Sequence, residues 1–165
     1  MDYITVLGID PGIAITGFGV VRKNKEKVEA VDFGVIRTLP SLSLSERLVK
    51  LHVELSGIFR RNSVDHVAIE KIFFNENLKS VVNVSEALGI ALLTAGEFEK
   101  KAFEYTPLEA KKAIFGAGRA TKEDITKSIM IILELDVRPE PDDAADALAV
   151  ALCHIYSLSY LEMTG

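Results

Sequence analysis

The 165-residue sequence contains a single cysteine, Cys153, which excludes an internal disulfide and suits a reducing compartment. It has no long hydrophobic run. The longest stretch without Asp, Glu, Lys or Arg, 147–161, is 15 residues long and is interrupted by His154. That falls short of the roughly 20 apolar residues a membrane span needs, so no membrane segment is expected. The N-terminus enters a strand-like pattern at once, with no basic region or small-residue cleavage site, and a cytoplasmic protein is expected. Repeats and low-complexity tracts are absent as well, and the length fits one domain, 1–165. An excess of positive charge is also lacking. The net charge of −5 argues at first against a phosphate-rich partner. However, six acids and one arginine between positions 134 and 146 account for all of it, so the rest of the chain is neutral.

The apolar patterning is that of a mixed α/β protein. Residues 4–9 read as a strand buried on both faces, ended by Asp10 in an Asp-Pro-Gly turn. Stretches 15–21 and 28–36 are strand-like and flank a basic turn at 22–27, which predicts an antiparallel meander. Ser43 and Glu46 form a capping box for a helix ending near Asn62. A short strand over 64–69 follows, with Glu70 at its far end. Helical spacing then runs from about 78 to 101 with apolar residues on more than one face, which points to a partner subunit. A brief strand at 103–105 precedes a helix opened by Thr106, Pro107 and Glu109 and stopped at Gly116. Helices over 120–135 and from Asp142 onward complete the chain.

Five carboxylates stand out. Asp10 and Glu70 lie at the carboxyl ends of predicted strands, where ligands of open α/β sheets bind. The last helix opens with Asp142, Asp143 and Asp146, and both Asp143/Asp146 and Asp142/Asp146 share a helix face. If the two strands are neighbours and the helix crosses them, the acids converge. Each like-charge pair at ~4 Å and an effective dielectric of ~20 costs roughly 4 kcal/mol, which a divalent cation would turn into binding. An all-oxygen set without Cys or His favours Mg²⁺ or Mn²⁺ over zinc. Local roles compete with this reading: acids in a first helical turn suit the macrodipole, and Asp10 could form an Asx turn.

Several motifs occur in order: GIDPGIAITGFGV, VAIEKIFF, NVSEALGIALL, EYTPLEAKKAIFGAGRATK and DDAADALAVALCH. Together they resemble the RuvC-type Holliday junction resolvases of the RNase H-like superfamily, from about residue 3 to residue 156. The resemblance implies a five-stranded mixed sheet flanked by helices and a homodimeric, Mg²⁺-dependent endonuclease with two ions per active site, Mn²⁺ substituting. It implies paired symmetrical nicks in four-way junction DNA, leaving 5′-phosphate and 3′-hydroxyl ends, and cooperation with the RuvA and RuvB branch-migration proteins. It places Asp10, Glu70, Asp143 and Asp146 as metal ligands and leaves Asp142 as a cap. Phe73 matches a wedge or stacking aromatic at the crossover, and Lys111 and Lys122 match contacts to the DNA backbone near the active site. Arg119 has no assured counterpart and enters as a further phosphate contact beside the Gly-Ala-Gly loop. Lys122 also opens a helix after that loop, where backbone N–H groups attract phosphate.

Two other readings keep some of these features. The Asp-Pro-Gly turn could be the phosphate loop of an actin-like ATPase or sugar kinase, but no second glycine-rich phosphate loop follows a later strand. A non-catalytic junction-binding module would leave the four acids as caps.

Overall fold

The computed structural model describes residues 3–25, 27–71, 78–116 and 120–164, without the side chains of 78–80 and 160–164. Chain order is β1 (Ile4–Asp10), β2 (Ile15–Lys23), β3 (Val28–Arg37), α1 (Leu44–Arg61), β4 (His66–Glu70), α2 (Leu78–Glu97), β5 (Lys101–Tyr105), α3 (Pro107–Phe115), α4 (Lys122–Ile132) and α5 (Asp142–Thr164). The strands form one sheet in the order β3-β2-β1-β4-β5. β1, β2 and β3 are the antiparallel meander, while β1, β4 and β5 run parallel.

Side chains alternate between the two faces of a strand, so each strand feeds two cores. Leu7, Ile9, Val20, Val67 and Ile69 face α1 and α2, where they meet Leu51, Leu55, Ile58 and Ala91. Val6, Val21 and Ala68 face α5, whose Leu148, Leu152 and Ile155 close the second core with Ile125 and Ile129 of α4. The expected mixed five-stranded sheet between helical layers is the observed architecture. Three helices begin at capping boxes, at Ser43/Glu46, Thr106/Glu109 and Thr121/Asp124.

Boundaries differ from expectation at a few places. β2 continues to Lys23, so the hairpin turn is shorter than 22–27. α2 stops at Glu97 and Glu99 takes a left-handed φ of 55°, which frees Lys101 to start β5. α4 begins after its cap Thr121 and ends at Ile132, before the left-handed Glu134 at φ 51°.

The fold brings α5 unusually close to the sheet. A Cβ on Gly8 would lie 2.0 Å from the Ala147 carbonyl oxygen, and one on Gly17 would lie 1.9 Å from that of Asp143. Such distances are impossible for any larger residue, so the glycines permit helix backbone to rest on strand backbone. Ala144, Ala147 and Ala151 provide the matching small surface on α5, all three fully buried.

Candidate active site

β1 and β4 are adjacent and parallel, with Ile9 opposite Ile69, so Asp10 and Glu70 emerge side by side where both strands end. By the alternation of side chains, both point to the face covered by α5. Gly17 is the register partner of Asp10 on β2, and α5 touches it through the Asp143 backbone. The helix therefore starts directly over the strand ends.

The four acids lie near enough to act on one another electrostatically. Burial pushes the Asp10 carboxyl up to about 9, and Glu70, Asp146 and Asp143 add to the shift by repulsion and, for Glu70, a side-chain hydrogen bond. Glu70 is raised chiefly by burial, then by Asp146 and Asp143, against the lowering effects of the Asp10 hydrogen bond and the Lys122 charge. Asp146 is also raised by burial, with Asp142 and Asp143 contributing and Lys122 and Lys111 opposing. Asp10 and Glu70 are near enough for a side-chain hydrogen bond, which two carboxyls form only when one of them carries a proton. Asp10 thus has a cross-strand partner. The Asp-Pro-Gly turn is closed instead by the Thr16 hydroxyl, which donates to the Gly12 carbonyl at 2.6 Å.

Positive charge comes from two helices. Lys122, the first residue of α4, has its Nζ 3.5 Å from Asp142 and 3.8 Å from Asp146. Those acids raise its pKa, Asp146 most of all. Lys111 of α3 lines a cavity of about 230 Å³ together with Glu70, Lys122, Asp146, Ile125 and Ala149. Asp142 is the first residue of α5 and pairs with Lys122, so it is an ion-pair partner in the first turn rather than the expected cap. Phe73 and Arg119 lie outside the described residues.

The donor set fits a hard cation in its chemistry: four half-buried carboxylates, three of them raised in pKa by burial and by one another. It is not a closed cage. Among the described residues no group of three or more His, Cys, Asp or Glu side chains is arranged to hold an ion.

Sequence reasoning missed the glycine seat of α5 and a buried group made by His66, Tyr105 and His154. The first had a visible signal, Gly17 and Gly19 on one face of a strand. The second had none, because its members are 88 and 49 positions apart.

The family model described as Crossover junction endodeoxyribonuclease RuvC matches residues 6–154. The RuvC protein of Caldicellulosiruptor saccharolyticus is 47% identical over 155 residues, 93% of either chain. That of Alkaliphilus metalliredigens is 45% identical over 152 residues, 92% of this chain and 93% of the relative. The solved structure titled T. thermophilus RuvC in complex with Holliday junction substrate superposes with a TM-score of 0.90 at 34% identity, covering 95% of this chain and 96% of that one. The likeness takes in both acid-bearing strand ends and the start of α5. This chain belongs to the RuvC family of crossover junction endodeoxyribonucleases.

Proposed function

We propose that the protein resolves four-way DNA junctions by paired symmetrical incisions, with Asp10, Glu70, Asp143 and Asp146 as its metal-binding residues. The observation that carries this reading is the placement of Asp10 and Glu70 at the adjacent ends of β1 and β4 beneath the start of α5, which bears Asp143 and Asp146, near enough that the other three acids all act on Asp10. The four carboxylates would hold Mg²⁺, two ions per site with Mn²⁺ as a substitute, and the metal would supply activation of the attacking water and charge neutralisation at the leaving 3′ oxygen. The carboxylates orient that chemistry and set its charge. Lys122 and Lys111, which line the cavity, hold the phosphates flanking the scissile bond, and the products carry 5′-phosphate and 3′-hydroxyl ends. Phe73 is assigned to the crossover by family likeness, and Arg119 to a backbone phosphate from its place in the sequence beside the Gly-Ala-Gly loop.

A four-way junction offers two equivalent strands, so paired cuts call for two sites related by a two-fold axis. α2 presents Val82, Leu92 and Leu93 to solvent at 54%, 41% and 55% exposure, and we assign this face to the homodimer. The whole chain acts as one nuclease domain in the cytoplasm, cooperating with RuvA and RuvB. No helix among the described residues is long and apolar enough to cross a membrane.

The test is cleavage of synthetic four-way junctions against linear duplex, with Mg²⁺ and with EDTA. Twin, chelator-sensitive nicks in the junction alone are expected. Asp146→Asn, which removes several kcal/mol of charge stabilisation from the site, is expected to slow cleavage about 100-fold or more. Normal cleavage by that variant would refute the assignment.

A further inference from the structure

Two of the four acids ride on α5, and that helix rests on Gly8 through Ala147 and Ala151, on Gly17 through the Asp143 backbone and on Gly19 through Leu148. These contacts set how closely the helix lies on the sheet, and hydrogen bonds between side chains add a directional constraint on its axial position. Sliding matters here, because a displacement of about 1 Å in a catalytic constellation is worth about 100-fold in rate.

About three turns beyond Asp143, and on nearly the same helix face, His154 supplies a directional contact. It is 1% exposed. Its Nε2 lies 2.9 Å from Nδ1 of His66 on β4, and its Nδ1 lies 2.7 Å from the Tyr105 hydroxyl on β5. The Phe103 ring tilts over it with centroids 4.4 Å apart. Both partners are tied to the acid site. His66 begins the five-residue strand that ends in Glu70, and Tyr105 is the register partner of Glu70. Burial and the neighbouring His66 hold the His154 pKa down to about 4. A neutral ring has one donor and one acceptor nitrogen, so it satisfies both neighbours in either tautomer.

We propose that His154, gripped by His66 and Tyr105, is the positioning residue that sets the axial register of α5 and so places Asp143 and Asp146 against Asp10 and Glu70. The proposal rests on the metal-site reading above. A residue that orients ligands without touching the ion typically changes metal affinity by about 10- to 100-fold when removed.

The test uses the full-length protein and compares the wild type with His154→Leu, His154→Gln, Tyr105→Phe and Asp146→Asn. Mn²⁺ affinity is measured by calorimetry well below the melting temperature, and kcat and KM are measured on a four-way junction. His154→Leu is expected to weaken Mn²⁺ binding about tenfold or more and to lower kcat with KM near the wild-type value. His154→Gln, whose amide can still reach His66, is expected to recover part of the loss, and Tyr105→Phe to show a several-fold loss. Wild-type Mn²⁺ affinity in Asp146→Asn would refute the acid site itself, separately from the role of His154. With that control intact, wild-type metal affinity and kcat in folded His154→Leu and Tyr105→Phe would overturn the proposal, even if their melting temperatures fell. Should His154→Leu fail to fold, Tyr105→Phe decides, because it removes one hydroxyl and no core volume.

Discussion

Asp10 is held in its site at the expense of stability. Its ordinary pKa of 3.8 rises to about 9 in the folded protein, so between those values the folded state retains a proton that the unfolded chain has released. Stability from this group is therefore fully present below about pH 3.8 and is lost as the pH climbs toward 9. Asparagine resembles the protonated acid. In EDTA, Asp10→Asn is expected to raise the melting temperature at pH 8 and to leave it nearly unchanged at pH 4, as followed by calorimetric scans. A fall at pH 8 would mean that Asp10 is structurally paired rather than strained. Lys122 has the opposite character: its side chain is 68% exposed, and it already stands on Asp142 and Asp146. If it also grips a phosphate, Lys122→Met made in the Asp146→Asn background should reduce the salt dependence of junction affinity by about one counterion in a log–log plot. An unchanged slope would confine Lys122 to the acids.

At the scale of elements, the seat of α5 controls the site. Gly17→Ala places a methyl group against the Asp143 carbonyl at 1.9 Å, so the first turn of α5 has to lift. Overpacking of this kind costs about 1–3 kcal/mol, and the displaced Asp143 is expected to abolish cleavage even at temperatures where the variant stays folded. Gly57→Ala is the control. It lies within α1, where the nearest atom to a new Cβ is a flexible Arg61 nitrogen at 3.7 Å, and it should be neutral or stabilising by up to about 1 kcal/mol. Cleavage by folded Gly17→Ala at the wild-type rate would show that backbone contact does not position the acids. Elements with local punctuation were legible in the sequence: the capping boxes at Ser43 and Thr106 and the left-handed Gly116 mark helix ends by themselves. Asp10 and Glu70 were legible because each follows an apolar strand. The pairing of β1 with β4 was not, since it depends on contacts some 60 positions apart. Nor was the end of α2, where Glu99 adopts a positive φ that its residue type does not announce. Spacing alone also left Asp142 and Asp143 equivalent, and their separation in space, one on Lys122 and the other over Gly17, belongs to tertiary structure.

The molecule as a whole presents one acid site per chain, and a junction has to be cut twice. α2 buries Ala87, Ala91, Thr94 and Ala95 against the sheet side while Val82, Leu92 and Leu93 face outward. Gly89 and Gly96 have open space where a Cβ would stand, so a second helix could approach closely there. A glycine inside a helix costs about 1 kcal/mol relative to alanine, and close helix approach is a physical reason to accept it. The double substitution Val82→Glu with Leu93→Glu places two charges on this face without touching the core. It is expected to convert a dimer into a monomer in sedimentation velocity at micromolar concentration, with the circular dichroism spectrum unchanged. On a supercoiled plasmid carrying a cruciform, the proposed dimer is expected to make both cuts within one binding event and release linear DNA, whereas the monomer should accumulate nicked circles. Linear product formed at the wild-type rate by a protein that sediments as a monomer would remove the two-fold axis from the mechanism. A variant that still sediments as a dimer would move the interface away from α2.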